Sequence, residues 1–124
     1  MNGLAQALHD ARLDGGLVNP AEHELPTSLE EAYALQSEVT ALFNSETIGY
    51  KLGATNAKTL AQLGFEEPFA GPLLASYWYS NGAEVSVHPE HSPSLETEFL
   101  VKLARGLPGR VQAYALDEVM AAIE

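Results

Sequence analysis

Cysteine is absent from the 124 residues. That excludes disulfides, thiolate metal sites and a cysteine nucleophile in one step, so any metal must be held by oxygen or imidazole. Basic residues are scarce: six Lys and Arg stand against 17 Asp and Glu, a net charge of −11. This balance opposes a phosphate backbone, and no basic patch interleaved with aromatics offsets it, so nucleic acid is not an expected partner. An anionic small molecule would also be repelled on average, and its site would need a cation or a local lysine to focus it. No apolar run approaches the ~18 residues of a membrane span, and the N-terminus lacks a charged stretch followed by an apolar one. The expectation is a cytoplasmic protein without a membrane partner.

What is present fits one globular domain over residues 1–124, with 46% hydrophobic residues in mixed patterning. The stretch Pro93-Ser94-Leu95-Glu96-Thr97-Glu98-Phe99-Leu100-Val101 sets two carboxylates two residues apart in an apolar, β-prone run. As a strand it projects Glu96 and Glu98 from one face, with Cβ atoms roughly 6 to 7 Å apart. Two such side chains can each place an oxygen on one Mg²⁺, whose ligands lie at ~2.0–2.1 Å. The opposite face would then carry Leu95, Thr97, Phe99, Val101 and Leu103. At helical period Leu95, Phe99 and Leu103 also align, and Glu98 with Lys102 becomes an ordinary surface pair. The spacing alone leaves both readings standing.

In chain order, apolar periodicity predicts a helix over Leu4 to Leu13, stopped by Gly15-Gly16, with His9 as a surface imidazole. The segment from Gly15 to Thr27, with Pro20 and Pro26, reads as an ordered connection. Ser28-Leu29-Glu30-Glu31 is a capping box opening a helix to about Phe43, whose broad apolar side includes Tyr33 and Gln36. Ile48 to Gly53 reads as a strand with Gly49, Lys51 and Gly53 on one face. A lysine between two glycines has empty space on either side, to be filled by something other than side chains, or it is an edge lysine that discourages aggregation. Thr55 or Asn56 caps a short helix to Leu63, which Gly64 ends. Glu66 to Leu74 reads as a Pro/Gly-punctuated loop bordering a pocket. Tyr77 to Tyr79 and Ala83 to Val87 read as strands about a turn at Ser80-Asn81-Gly82. His88 and His91 flank Pro89-Glu90 without a third ligand in step and are expected to be exposed. Arg105 to Gly109 is a loop, and a final helix starts at Leu116 or Asp117.

Gly49-Tyr50-Lys51-Leu52-Gly53-Ala54-Thr55, then Leu63-Gly64, Glu67-Pro68 leading to Gly71-Pro72-Leu73, Glu96-Thr97-Glu98 and Leu107-Pro108-Gly109 stand in a fixed order, joined to the helix carrying Ala32-Tyr33 and Gln36. In order and spacing they resemble the 2-keto-4-pentenoate hydratase branch of the fumarylacetoacetate hydrolase superfamily, over essentially the whole chain. The resemblance implies an α+β fold in which N-terminal helices precede the strands of a mixed β-roll. It implies an Mg²⁺ (or Mn²⁺) enzyme, a lyase of the hydratase or decarboxylase kind or a hydrolase, acting on a small-molecule 2-oxo acid or its enol and assembling as a homo-oligomer. In such enzymes the metal chelates the substrate's carboxylate and 2-oxo oxygens and stabilises the enolate. Glu96 and Glu98 match the first two metal ligands, and Lys51 matches the lysine that faces the substrate, with Gly49, Gly53, Gly71 and Leu73 lining it.

The chain departs from the pattern twice. Where the family places an acidic proton-transfer residue after the Glu-Pro, this sequence has Phe69. The family also continues well past this length, with a third acidic ligand downstream and most of the roll after it. The expectation is therefore a fragment, a truncated product or a half that completes itself by association, and the alternative to an enzyme is a non-catalytic assembly or small-acid-binding module of the same fold.

Overall fold

The computed structural model describes residues 3–124, and the chain divides into two compact units, Met1–Pro93 and Ser94–Glu124. The first unit opens with helix α1, Leu4–Asp14. Its last N–H, that of Gly15, donates to the Ala11 carbonyl at 3.0 Å, and Gly15 then ends the helix by turning into the left-handed region at φ 81°. Leu4 and Ala5 on this helix are buried. Helix α2 spans Leu29–Leu42, capped by the Ser28 hydroxyl, which accepts from the Glu31 N–H at 3.1 Å. The reciprocal half of the expected box is displaced by one residue. The Glu31 carboxylate accepts its short hydrogen bonds from the N–H and hydroxyl of Thr27, at 2.7 and 2.8 Å.

Helices α1 and α2 pack together, and a chain of rings extends that packing. His9 lies 4.7 Å from Phe43, Phe43 meets Tyr77 edge-on at 5.7 Å, and the Arg12 guanidinium covers the Tyr77 ring at 4.5 Å. The His9 side chain is only 14% exposed, so the expected surface imidazole is instead part of this cluster, drawn in by the Phe43 ring.

Strand β1, Thr47–Gly53, follows the expected run closely. Helix α3, Ala57–Leu63, has the Asn56 side chain accepting from the Thr59 N–H at 2.9 Å, and Gly64 terminates it at φ 73°. Strand β2, Phe69–Leu74, replaces the loop anticipated there. It pairs antiparallel with β1 from Gly53↔Phe69 through Lys51↔Gly71 to Gly49↔Leu73, with an irregularity between Thr47 and Gly49. Proline survives inside this strand because of its position. Main-chain groups in an antiparallel strand alternate between the two edges, and both those of Ala70 turn away from β1, so Pro72, two residues on, sits where no N–H toward β1 is needed.

The hairpin anticipated around Gly82 is reduced to its turn. Ala83 N–H donates to the Ser80 carbonyl at 3.1 Å and Gly82 has φ 83°, but residues 83–87 form no strand and Ala75–Tyr77 is a 3₁₀ turn. The second unit holds helix α4, Leu116–Met120, and a short antiparallel contact in which Ala104 N–H donates to Ala122 O at 2.8 Å and Glu124 N–H to Lys102 O at 2.9 Å. Arg110 grips the Glu118 carboxylate with both terminal nitrogens, at 3.0 and 2.6 Å, and stacks on Tyr114 at 3.7 Å. Residues 94–101 carry no ladder, so the strand expected through Glu96 and Glu98 is not formed.

Helices with a small antiparallel sheet make this an α+β chain. Among the described residues the sheet has two strands, and no helix is long and apolar enough to cross a membrane.

Candidate functional site

The best-built part of the expected site is the face of the β1–β2 ribbon that carries Lys51. Cross-strand partners share a face, so Gly49, Lys51 and Gly53 of β1 stand with Leu73, Gly71 and Phe69 of β2. The space beside Lys51 is not empty on both sides. A Cβ on Gly53 would overlap the Phe69 ring, so an aromatic side chain takes the room that the glycine leaves, while a Cβ on Gly49 would meet Leu73 at an ordinary 3.7 Å. Phe69 in turn lies 5.4 Å from Phe65, which braces it. Lys51 is exposed, as are Tyr50 and Leu52 on the opposite face. Leu73 also borders an open, mostly apolar groove of about 750 Å³ among α1, α2 and β2, where Arg12 is the cationic lining residue.

Helix α2 holds this ribbon by its edge. The Ala70 N–H donates to the Tyr33 hydroxyl at 3.0 Å, and the Ala70 carbonyl accepts from Gln36 Nε2 at 3.2 Å. Tyr33 and Gln36 are one helical turn apart, so they fall on one face of α2 and reach both main-chain groups of a single residue. Their own carbonyls accept from the Ser37 and Thr40 hydroxyls at 2.9 and 2.7 Å, which ties the same turn down further. The sequence carries a signal for this clamp, a glutamine set within an otherwise apolar helix side, but its target on β2 is a long-range fact.

Glu96 and Glu98 lie in the second unit, exposed on a segment without regular structure. As hard oxygen donors they suit Mg²⁺ or Mn²⁺ in kind. In number they fall short, since among the described residues no three His, Asp or Glu side chains gather into a group that would hold a metal ion. His88 and His91 do not make such a site either. Their rings are 5.4 Å apart, His88 packs over Gly15, and His91 Nε2 meets the Gly16 carbonyl at 2.7 Å, so the pair docks its turn on the end of α1.

Three carboxylates away from this face have clear electrostatics. Hydrogen bonds from the Thr27 N–H and hydroxyl hold the Glu31 carboxyl below the usual glutamate range. Hydrogen bonding to His9, then to Gln6, does the same for Asp10, and the Arg110 fork does so for Glu118.

No family model and no solved structure matches the chain. Curated proteins do. It is 32% identical over 109 residues to a TodF product hydratase of Pseudomonas putida, covering 85% of this chain and 41% of that protein. It is 28% identical over 129 residues to a 2-keto-4-pentenoate hydratase of Paraburkholderia xenovorans, covering 97% of this chain and 48% of the relative. A 4-oxalocrotonate decarboxylase of a Pseudomonas species is 26% identical over 124 residues, covering 98% and 47%. The chain thus spans somewhat under half the length of the curated relatives it matches. Over most of its own length, this chain is a homologue of the 2-keto-4-pentenoate hydratases.

Proposed function

We propose that this chain carries part of a divalent-metal-dependent lyase acting on a 2-oxo acid or its enol, with the fumarylacetoacetate hydrolase-like roll as the fold it contributes to. The observation that supports this most is Lys51, the basic residue of β1, standing on a ribbon face with Gly49, Gly71 and Leu73. In a chain of net charge −11, an ammonium on an otherwise small or apolar face is where an acid would be drawn. Its role would be to hold the carboxylate or 2-oxo oxygen and to favour negative charge as it develops there. Gly49, Gly71 and Leu73 would shape the contact, with the Phe69 ring seated over Gly53 closing its other side. Glu96 and Glu98 would hold Mg²⁺ or Mn²⁺ together with water, and the ion, when bound, would supply a Lewis acid.

One observation favours the second reading, a small-acid-binding or assembly module. The residue beside Gly53 on the Lys51 face is Phe69, which has no proton to give or take. Exposed apolar side chains such as Tyr50 and Leu52 on the opposite face would be covered by association of copies in a homo-oligomer. The two readings separate by following exchange of the methyl protons of pyruvate for solvent deuterium with Mg²⁺ present. The lyase reading expects exchange that stops on Lys51→Met; no exchange above the protein-free rate, with pyruvate still bound, would leave the binding module.

A further inference from the structure

We infer that Tyr33 and Gln36 are positioning residues for Lys51, acting through the main chain of Ala70. This rests on the reading above that Lys51 meets the acid.

A two-stranded ribbon is marginal by itself and free to slip, because its strands are fixed to one another only by their own ladder. Here the outer edge of β2 is seized at one residue. The Tyr33 hydroxyl takes the Ala70 N–H and the Gln36 amide gives to the Ala70 carbonyl, at 3.0 and 3.2 Å, in a part-buried setting. Ala70 pairs with Leu52, and its neighbour Gly71 pairs with Lys51, so fixing Ala70 on α2 fixes which residue stands opposite the lysine. A slip of one residue would send Gly71 to the other face and bring a side chain against Lys51.

The absence of a side chain at Gly71 belongs to the same arrangement. A Cβ there would lie 3.8 Å from Gln36 Nε2, an ordinary contact, so glycine is not needed for the clamp to close. What it leaves is a position without a side chain opposite Lys51. Together the clamp and the glycine define a fixed gap one residue wide next to Lys51. Such a gap accommodates a planar carboxylate or 2-oxo group, and its precision depends on two hydrogen bonds from a helix that does not itself carry the lysine.

The test compares Tyr33→Phe, Gln36→Glu and Gln36→Lys in the full chain. Phenylalanine cannot accept from the Ala70 N–H, and a carboxylate cannot donate to its carbonyl, whereas a lysine keeps a donor of sufficient reach. Pyruvate is titrated while the Lys51 side-chain signals are followed by NMR, and the thermal midpoint is measured alongside. Tyr33→Phe and Gln36→Glu are expected to weaken pyruvate roughly three- to tenfold, with Gln36→Lys restoring most of the loss. Unchanged affinity in the first two variants, whatever happens to the midpoint, overturns the inference. Should the unmutated chain bind no pyruvate, the functional reading fails. The contact between the α-protons of Leu52 and Ala70 then decides the positioning role: it must weaken in the Tyr33→Phe, Gln36→Glu double variant, and its persistence at full strength refutes the clamp.

Discussion

The ring of Phe69 lies where a side chain on Gly53 would have to go. The two residues are cross-strand partners, so the glycine is the socket and the phenylalanine its filling, directly next to the lysine of β1. Gly53→Ala should therefore push the ring off its seat. Because the ring edge is the far end of a rotatable side chain, the cost should stay near ~1 kcal/mol, the low end of overpacking. Chemical denaturation gives the cost, and the Phe65 and Phe69 ring signals should shift together, since the two rings are in contact.

Glycine at Gly64 is required by backbone conformation alone. It sits at φ 73° with nothing within 4 Å of where a methyl group would stand, so Gly64→Ala should cost about 1–2 kcal/mol without any clash. Gly106, which has neither positive φ nor neighbours, should tolerate alanine within about 0.5 kcal/mol. Equal midpoints for the two variants in urea would contradict the assignment of Gly64 as the C-terminal stop of α3.

Stability should fall on acidification through Glu31, Asp10 and Glu118. Each carboxyl is held below its ordinary value by hydrogen bonds made in the folded state. A depressed folded pKa contributes stability that is complete above the unfolded value of ~4 and is lost as pH falls through the lower folded value. Glu31→Gln should melt earlier than the parent at neutral pH, and the difference should vanish toward pH 2. Ser28→Ala, which removes the neutral half of the same cap, should cost about 1 kcal/mol at both pH values.

The element ends were legible because they are local. Gly15, Ser28, Asn56 and Gly64 each act within one turn of the chain, and each does what its residue type suggests. Strand β2 was hidden by Gly71 and Pro72, which signal a loop unless the pairing partner shows that Pro72 needs no bond toward β1. The filling of Gly53 by Phe69 and the clamp on Ala70 were out of reach for the same reason, since each joins positions far apart in sequence. The alternation about Glu96 and Glu98 is a property of the side chains, but a strand also needs a neighbour for its main chain, and residues 94–101 have no ladder.

Metal binding at Glu96 and Glu98 should be weak, because two carboxylates supply only part of an octahedral shell and water must supply the rest. Calorimetric titration with Mn²⁺ should give a shallow isotherm for the unmutated chain and a flatter one for Glu96→Gln. Superimposable curves would remove the metal from the account.

Hydration of a 2-hydroxydienoate should be slow. Phe69 cannot transfer a proton, a role that contributes ~10²–10⁴-fold in rate where an acid or base performs it. Loss of dienol absorbance with Mg²⁺ present, at concentrations where light scattering reports the assembly state, checks this; rapid metal-dependent turnover would show that another group transfers the proton.

The most direct test of the functional reading is a pyruvate titration of the unmutated chain and of Lys51→Met, read by NMR at fixed Mg²⁺. The account predicts saturable shifts centred on Lys51, Gly49 and Gly71, and their loss when the ammonium is replaced by a methyl thioether of similar length. Saturable binding that survives Lys51→Met unchanged, or shifts confined to residues away from the β1–β2 face, would contradict it.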